Sequence, residues 1–148
     1  MDDSTALAAL EELARQLRRT SQELDRALAS CLGETSVARW HVLTAVSGGT
    51  GIPMSQIGEA TVLSGASLTR LIDAMIADNL VHRKVDATDR RRVLVFPTRR
   101  GQLALQVMTR AITENGLDTV ANPRITRSLT SLVDQVHKVE EAERVATK

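Results

Sequence analysis

Three consecutive arginines, Arg90, Arg91 and Arg92, follow two carboxylates in the run Val85-Asp86-Ala87-Thr88-Asp89-Arg90-Arg91-Arg92-Val93. A guanidinium is a planar fork of donors that stays charged in proteins, and it suits phosphate oxygens and base edges alike. Between His82 and Arg100, seven cationic side chains (Arg83, Lys84, Arg90, Arg91, Arg92, Arg99, Arg100) stand against Asp86 and Asp89, an excess of five. The whole chain of 148 residues carries only +1, so everything else sums to −4. A near-neutral chain that gathers its positive charge in one segment builds a local field there, the footprint expected for a polyanionic partner. The alternative is a solvated turn whose charge keeps a hairpin soluble.

A second group of small and polar side chains precedes it: Ser64, Ala66, Ser67, Thr69 and Arg70. Arg70 could reach a phosphate or a base, or pair with Asp73 three residues on along one helix face. Other chemistry is hard to place. No nucleophile stands beside a base, no glycine-rich phosphate loop occurs, and Glu140-Glu141 lie in a charged terminal segment, so an enzyme is not expected. One cysteine and three scattered histidines make no internal disulfide and no ligand cluster, so neither metal nor cofactor is expected. No apolar run approaches the roughly 20 residues that span a bilayer. The start, Met1-Asp2-Asp3-Ser4, is acidic, unlike a signal peptide, and a cytoplasmic location is the expectation.

The elements that must carry these groups are mostly helical. Leu7, Leu10, Ala14, Leu17, Ser21, Leu24, Leu28 and Cys31 alternate at three and four residues, which predicts one long helix with a narrow seam. A seam of that length exceeds what one small core covers, so a second copy of the chain is expected on part of it. Gly33 should end this helix, and Thr35 or Ser36 should cap the next, about Val37 to Val46, with Val37, Trp40 and Leu43 or Thr44 inward. Ser55 to Ala60 reads as a short helix and Thr61-Val62-Leu63 as a tight connection. Ser64 is the expected N-cap of a helix in which Leu68, Leu71, Ile72, Met75 and Ile76 form a full apolar stripe. Two short helices joined this way, the second exposing small polar groups and an arginine at its start, make the pattern of a helix-turn-helix. Val81–Val85 and Val93–Phe96 are apolar enough for two strands, with Asp86 to Arg92 as the hairpin tip. Pro97-Thr98 should open a helix of about Arg99 to Asn115 that buries Leu103, Val107, Ala111 and Ile112. After Gly116 and Asn122-Pro123, a last helix carries Ile125, Leu129, Leu132, Val133, Val136 and Val139.

The ordered set Ser55-Gln56-Ile57-Gly58, Leu63 to Asp73, Leu80-Val81-His82-Arg83, Asp89-Arg90-Arg91 and Thr98-Arg99-Arg100-Gly101 resembles the winged helix-turn-helix of the MarR family of bacterial transcriptional regulators. The likeness is close from about Trp40 to Gly101, and the terminal helices agree in pattern only. Gly58 and Val62 depart from it, standing where the family usually has alanine and glycine. The resemblance implies one mainly α domain over 1–148. A DNA-binding lobe at 36–98 would carry a two-stranded wing, with helical dimerisation regions at 1–32 and 99–148.

It further implies a dimeric reader of pseudo-palindromic double-stranded DNA, a repressor in the family's commoner mode. Ser64, Ala66, Ser67, Thr69 and Arg70 would form the major-groove segment. Arg91 would enter the minor groove, oriented by Asp89, with Arg90 and Arg92 on phosphates. A winged-helix module that binds an acidic protein is the alternative. The family also binds small aromatic effectors, which makes Trp40 and His41 candidate contacts for an aromatic or lipophilic ligand. Cys31 continues the apolar seam and reads as a packing residue. The family's peroxide-sensing branch supports its cysteine with tyrosines, and this chain has none.

Overall fold

The computed structural model describes residues 3–34 and 36–147 and divides the chain into two compact units, Met1–Asn115 and Gly116–Lys148. The first unit contains α1 (Asp3–Leu32), α2 (Ser36–Val46), β1 (Ile52–Pro53), α3 (Met54–Thr61), α4 (Gly65–Ala77), β2 (Val81–Val85), β3 (Val93–Pro97) and α5 (Arg99–Glu114). The second contains a short 3-10 turn (Leu117–Val120) and α6 (Pro123–Ala146). Thr35, one of the two expected caps of α2, lies outside the described residues. The mainly α winged helix-turn-helix is therefore the fold, with one addition. The wing is part of a three-stranded antiparallel sheet ordered β1-β3-β2, because Ile52 and Pro53 pair with Val95 and Leu94.

The core of the first unit is where α2, α3, α4 and the base of the hairpin meet. Val42, Leu43, Val46, Ile57, Leu68, Ile72, Met75, Leu80, Val81 and Val95 are buried together. On α2 the inward set is thus Val42, Leu43 and Val46, while Val37 and Trp40 are half-buried and Thr44 is exposed. In α4 the inward stripe holds as expected, centred on Leu68, Ile72 and Met75. In α5 the phase differs from the expected one. Leu103 and Val107 are 52% and 69% exposed, and Gly101, Ala104, Leu105 and Met108 turn inward in their place, while Ile112 is buried and Ala111 half-buried as expected. Gly101 sets that phase, since α5 crosses so close to the Leu80 carbonyl that no side chain fits between them.

Helix α1 is exposed from Ser4 to Arg26 and reaches the core only at Leu28, leaving Leu7, Leu10, Leu17 and Leu24 in solvent. Cys31 is half-buried and free. In α6, Asn122 caps the first turn by accepting from the Arg124 amide at 2.9 Å, and Pro123 occupies the first turn. Ile125, Leu129, Val133, Val136 and Val139 are exposed along it.

The α3–α4 turn explains the two departures from the family pattern. Val62 sits in the left-handed region at φ 56°, ψ 28°, and the Leu63 amide donates to the Gly58 carbonyl at 3.1 Å. This curl brings the chain back over Gly58, where a Cβ would lie 2.8 Å from the Leu63 carbonyl oxygen. Glycine at 58 is therefore required by the turn, while valine at 62 is tolerated at a conformational cost of about 1–2 kcal/mol for a side-chain-bearing residue. Val62 is 90% exposed and loses little packing if removed. Val62→Gly should raise unfolding stability by about 1 kcal/mol, the strain relieved exceeding the added freedom of the unfolded chain. Gly58→Ala should lower it. Denaturant melts check both, and a Val62→Gly variant no more stable than the parent contradicts the strain.

Candidate nucleic-acid interface

Helix α4 starts at Gly65 with Ser64 extended before it (φ −145°, ψ 166°), in N-cap geometry but without a cap bond from its hydroxyl. The serine is thus the cap by position only, and its hydroxyl is free for a partner. Ala66, Ser67, Thr69 and Arg70 are all exposed, on the side away from Leu68, Ile72 and Met75. The Thr69 hydroxyl donates to the Gly65 carbonyl at 3.2 Å and Arg70 Nε to the Ala66 carbonyl at 3.2 Å. Arg70 does not take Asp73 as its partner. Asp73 Oδ1 instead receives Arg83 Nη2 of β2 at 2.9 Å, a contact across the fold that spacing along one helix does not reveal.

The far end of α4 is pinned from two sides. Arg39 of α2 reaches Asp78 at 2.6 Å, and Asn79 adopts the left-handed conformation at φ 57°. The Thr98 hydroxyl donates to the Asn79 carbonyl at 2.6 Å and accepts from the Gly101 amide at 2.9 Å. Thr98 therefore caps α5 and ties it to the end of α4 with one oxygen.

The hairpin tip is built by its carboxylates. Asp86 Oδ1 accepts from the Thr88 amide at 2.9 Å and the Thr88 hydroxyl at 2.8 Å, while Asp86 Oδ2 lies 3.8 Å from Arg92 Nε. The bond from the Thr88 amide, then that from its hydroxyl, and more weakly the Arg92 charge hold the Asp86 carboxyl below the usual carboxylate range. A depressed folded pKa stabilises the tip above that range, and the contribution is lost as pH falls through it. Asp89 Oδ1 accepts from the Arg91 amide at 3.0 Å, with Arg91 Nε at 3.5 Å. Asp89 thus fixes the Arg91 backbone more firmly than its side chain, which is 94% exposed. Among the described residues Lys84, Arg90, Arg99 and Arg100 pair with no carboxylate within 4.0 Å. Lower on the hairpin, His82 stacks on Phe96 with centroids 5.3 Å apart, and Lys84 Nζ lies 5.7 Å from the same ring.

Trp40 and His41 adjoin each other in α2, half-buried, with ring centroids 5.0 Å apart. An open apolar cleft of about 570 Å³ lies elsewhere, between α3 and α4, lined by Met54, Gly58, Val62, Leu63 and Leu68. Among the described residues no three His, Cys, Asp or Glu side chains group as metal ligands, and no single helix is long and apolar enough to cross a membrane.

A helix with an exposed polar face, followed by a hairpin tipped with arginine, is the arrangement of the winged helix-turn-helix class. Residues 35–92 match the model of the MarR family. Over those residues the chain is similar to that family. Comparison with curated proteins finds no match. Among solved structures the fold is similar to a mutant MarR from E. coli complexed with operator DNA, at 21% identity and TM-score 0.66, over 86% of this chain and 95% of that one. It is also similar to Bordetella bronchiseptica BpsR, whose DNA binding is regulated by 6-hydroxynicotinic acid (21% identity, TM-score 0.65, 85% and 98% covered). The reduced, DNA-bound form of AbfR gives TM-score 0.72 at 15% identity, over 92% and 96%.

Proposed function

We propose that the protein is a homodimeric transcriptional repressor that binds a pseudo-palindromic site in double-stranded DNA through the lobe 36–98. The observation that carries this reading is the pairing, in one unit, of the solvent-facing Ser67-Thr69-Arg70 surface of α4 with the exposed Arg91 of the hairpin tip. The N-terminal part of such a helix reaches base edges in the major groove. A guanidinium on a thin hairpin suits the concentrated negative potential of a narrow A·T-rich minor groove. The exposed seams of α1 and α6, in 1–32 and 99–148, are the dimerisation surfaces of this reading, since apolar stripes of that length are seldom left in water. Two-fold symmetry then places the half-sites about one helical turn apart, roughly 34 Å.

Selection of bound duplexes from a random pool tests the reading. The parent should enrich a palindrome and lose affinity steeply with salt. Arg70→Ala should change the ranking of variants at one symmetric base pair per half-site. Arg90→Ala or Arg92→Ala should weaken all sequences alike and reduce the salt slope by about one unit per lost phosphate contact. No enrichment by the parent removes the DNA reading. A selection profile unaltered by Arg70→Ala removes Arg70 from the base-reading set.

A further inference from the structure

We propose that the Asp73–Arg83 ion pair is a brace that sets the angle of the wing against the recognition helix, which makes both side chains positioning residues for DNA binding. The proposal rests on the DNA reading above. Asp73 lies on α4 one turn beyond Arg70, and Arg83 lies in β2, where its backbone pairs with Val95 of β3. Their charged groups meet at 2.9 Å, and both side chains are about half exposed. Among the described residues this is the only ion pair that joins the hairpin to α4.

The hairpin beyond that point is stiff in itself. Asp86 is tied to Thr88, Asp89 to Arg91, and backbone bonds join Asp86 to Arg92 and Arg92 to Asp89. Such a unit moves from its base. There the buried Val81 and Val95 hold the inner side, and the Asp73–Arg83 pair holds the solvent side. Several residues of strand at about 3.3 Å each separate the pair from the tip, so a tilt of about 10° at the base moves Arg91 by roughly 3 Å. That displacement is large against a minor groove only about 6 Å wide.

The pair is not explained by folding stability, since half-exposed ion pairs contribute little to it. Nor does the remaining arginine near Asp73 compete for it, because Arg70 Nε is directed back to the Ala66 carbonyl. Asp73 is otherwise a liability: an uncompensated carboxylate beside the DNA-reading face repels phosphate. Paired with Arg83, it exchanges that repulsion for alignment.

The test uses the full-length protein and the duplex that the parent selects from a random pool, with Asp73→Asn, Arg83→Gln and the charge swap Asp73→Arg with Arg83→Asp. Each single variant should melt near the parent and bind about tenfold more weakly, and the swap should regain most of the loss. In the Asp73→Asn background, Arg91→Ala should weaken binding by a smaller factor than in the parent, because the tip is already misaligned. The salt slope of Asp73→Asn should equal the parent's. If Asp73→Asn binds as tightly as the parent or tighter, the carboxylate is a bystander and the brace is wrong. If the swap binds no better than Arg83→Gln, Arg83 acts by touching phosphate. Should Arg83→Gln fail to fold, Asp73→Asn and its combination with Arg91→Ala decide alone. A parent that selects no duplex overturns the DNA reading itself, and an Arg91→Ala variant that binds like the parent overturns the minor-groove role of the tip, whereas neutral brace variants on a working parent overturn only the brace.

Discussion

Arg91→Ala should weaken binding to the selected duplex by about 1–3 kcal/mol, roughly fivefold to 150-fold, while leaving the melting curve unaltered. The fold has little to lose there: the side chain is almost wholly in solvent, and its ion pair is with the neighbouring Asp89. A guanidinium that enters a narrow minor groove gives up little intramolecular contact and meets the strongest local potential on the duplex. The companion variant separates orientation from charge. Asp89→Ala removes a negative charge from the tip, so simple electrostatics predicts tighter binding. Geometry predicts the reverse, because the Asp89 carboxylate holds the Arg91 amide at 3.0 Å. Weaker binding is the expected outcome. Asp89→Asn, whose amide oxygen can still accept that bond, should fall between the two. Equilibrium titrations at fixed salt measure all three, and an Arg91→Ala variant with parental affinity rules out the minor-groove role.

The parts of the fold that the sequence made legible are those in which one local rule decides. The Leu68-Ile72-Met75 stripe has helical period and no competitor on α4, and the runs Val81–Val85 and Val93–Phe96 are bounded by a polar tip too charged to bury. Thr98 caps α5 as its position predicts. What was not legible depends on contacts between distant residues. β1 is two residues long and exists only because β3 offers Val95 and Leu94 to pair with, so it leaves no pattern of its own. On α5 the helical period was correct but its phase was not, since the chain carries two apolar stripes. Leu103 and Val107 make one stripe and Leu105 and Met108 the other, and the close approach at Gly101 turns Ala104, Leu105 and Met108 inward. At the site, the polar face of α4 and the arginine tip could be read directly. The partner of Asp73 could not: Arg70 is three residues away on the same helix, and only the folded hairpin brings Arg83 within 2.9 Å.

The same dependence on distant contacts yields the largest expected loss of stability. Gly101→Ala should destabilise the protein by about 3 kcal/mol or more, beyond the usual overpacking range, because the added methyl meets backbone and not a side chain that can rotate away. A Cβ at 101 would overlap the Leu80 carbonyl oxygen and press on Leu43, a fully buried core residue. The Leu80 carbonyl cannot retreat freely: it accepts from the Thr98 amide at 3.0 Å, while the Thr98 hydroxyl is bonded to the neighbouring Asn79 carbonyl. Relief therefore requires α5 to move away from the junction between α4 and β2, which separates the end of the recognition helix from its anchor. Chemical denaturation should show a lowered midpoint. Operator affinity measured well below that midpoint should fall as well, since the alignment of α4 and the wing depends on the same junction. Thr98→Val leaves Gly101 in place but removes the hydroxyl from Asn79 and from the Gly101 amide, and it should give a smaller loss of both. A Gly101→Ala protein as stable as the parent would mean that α5 is not held against Leu80, and that Gly101 is in the chain for some reason other than close approach.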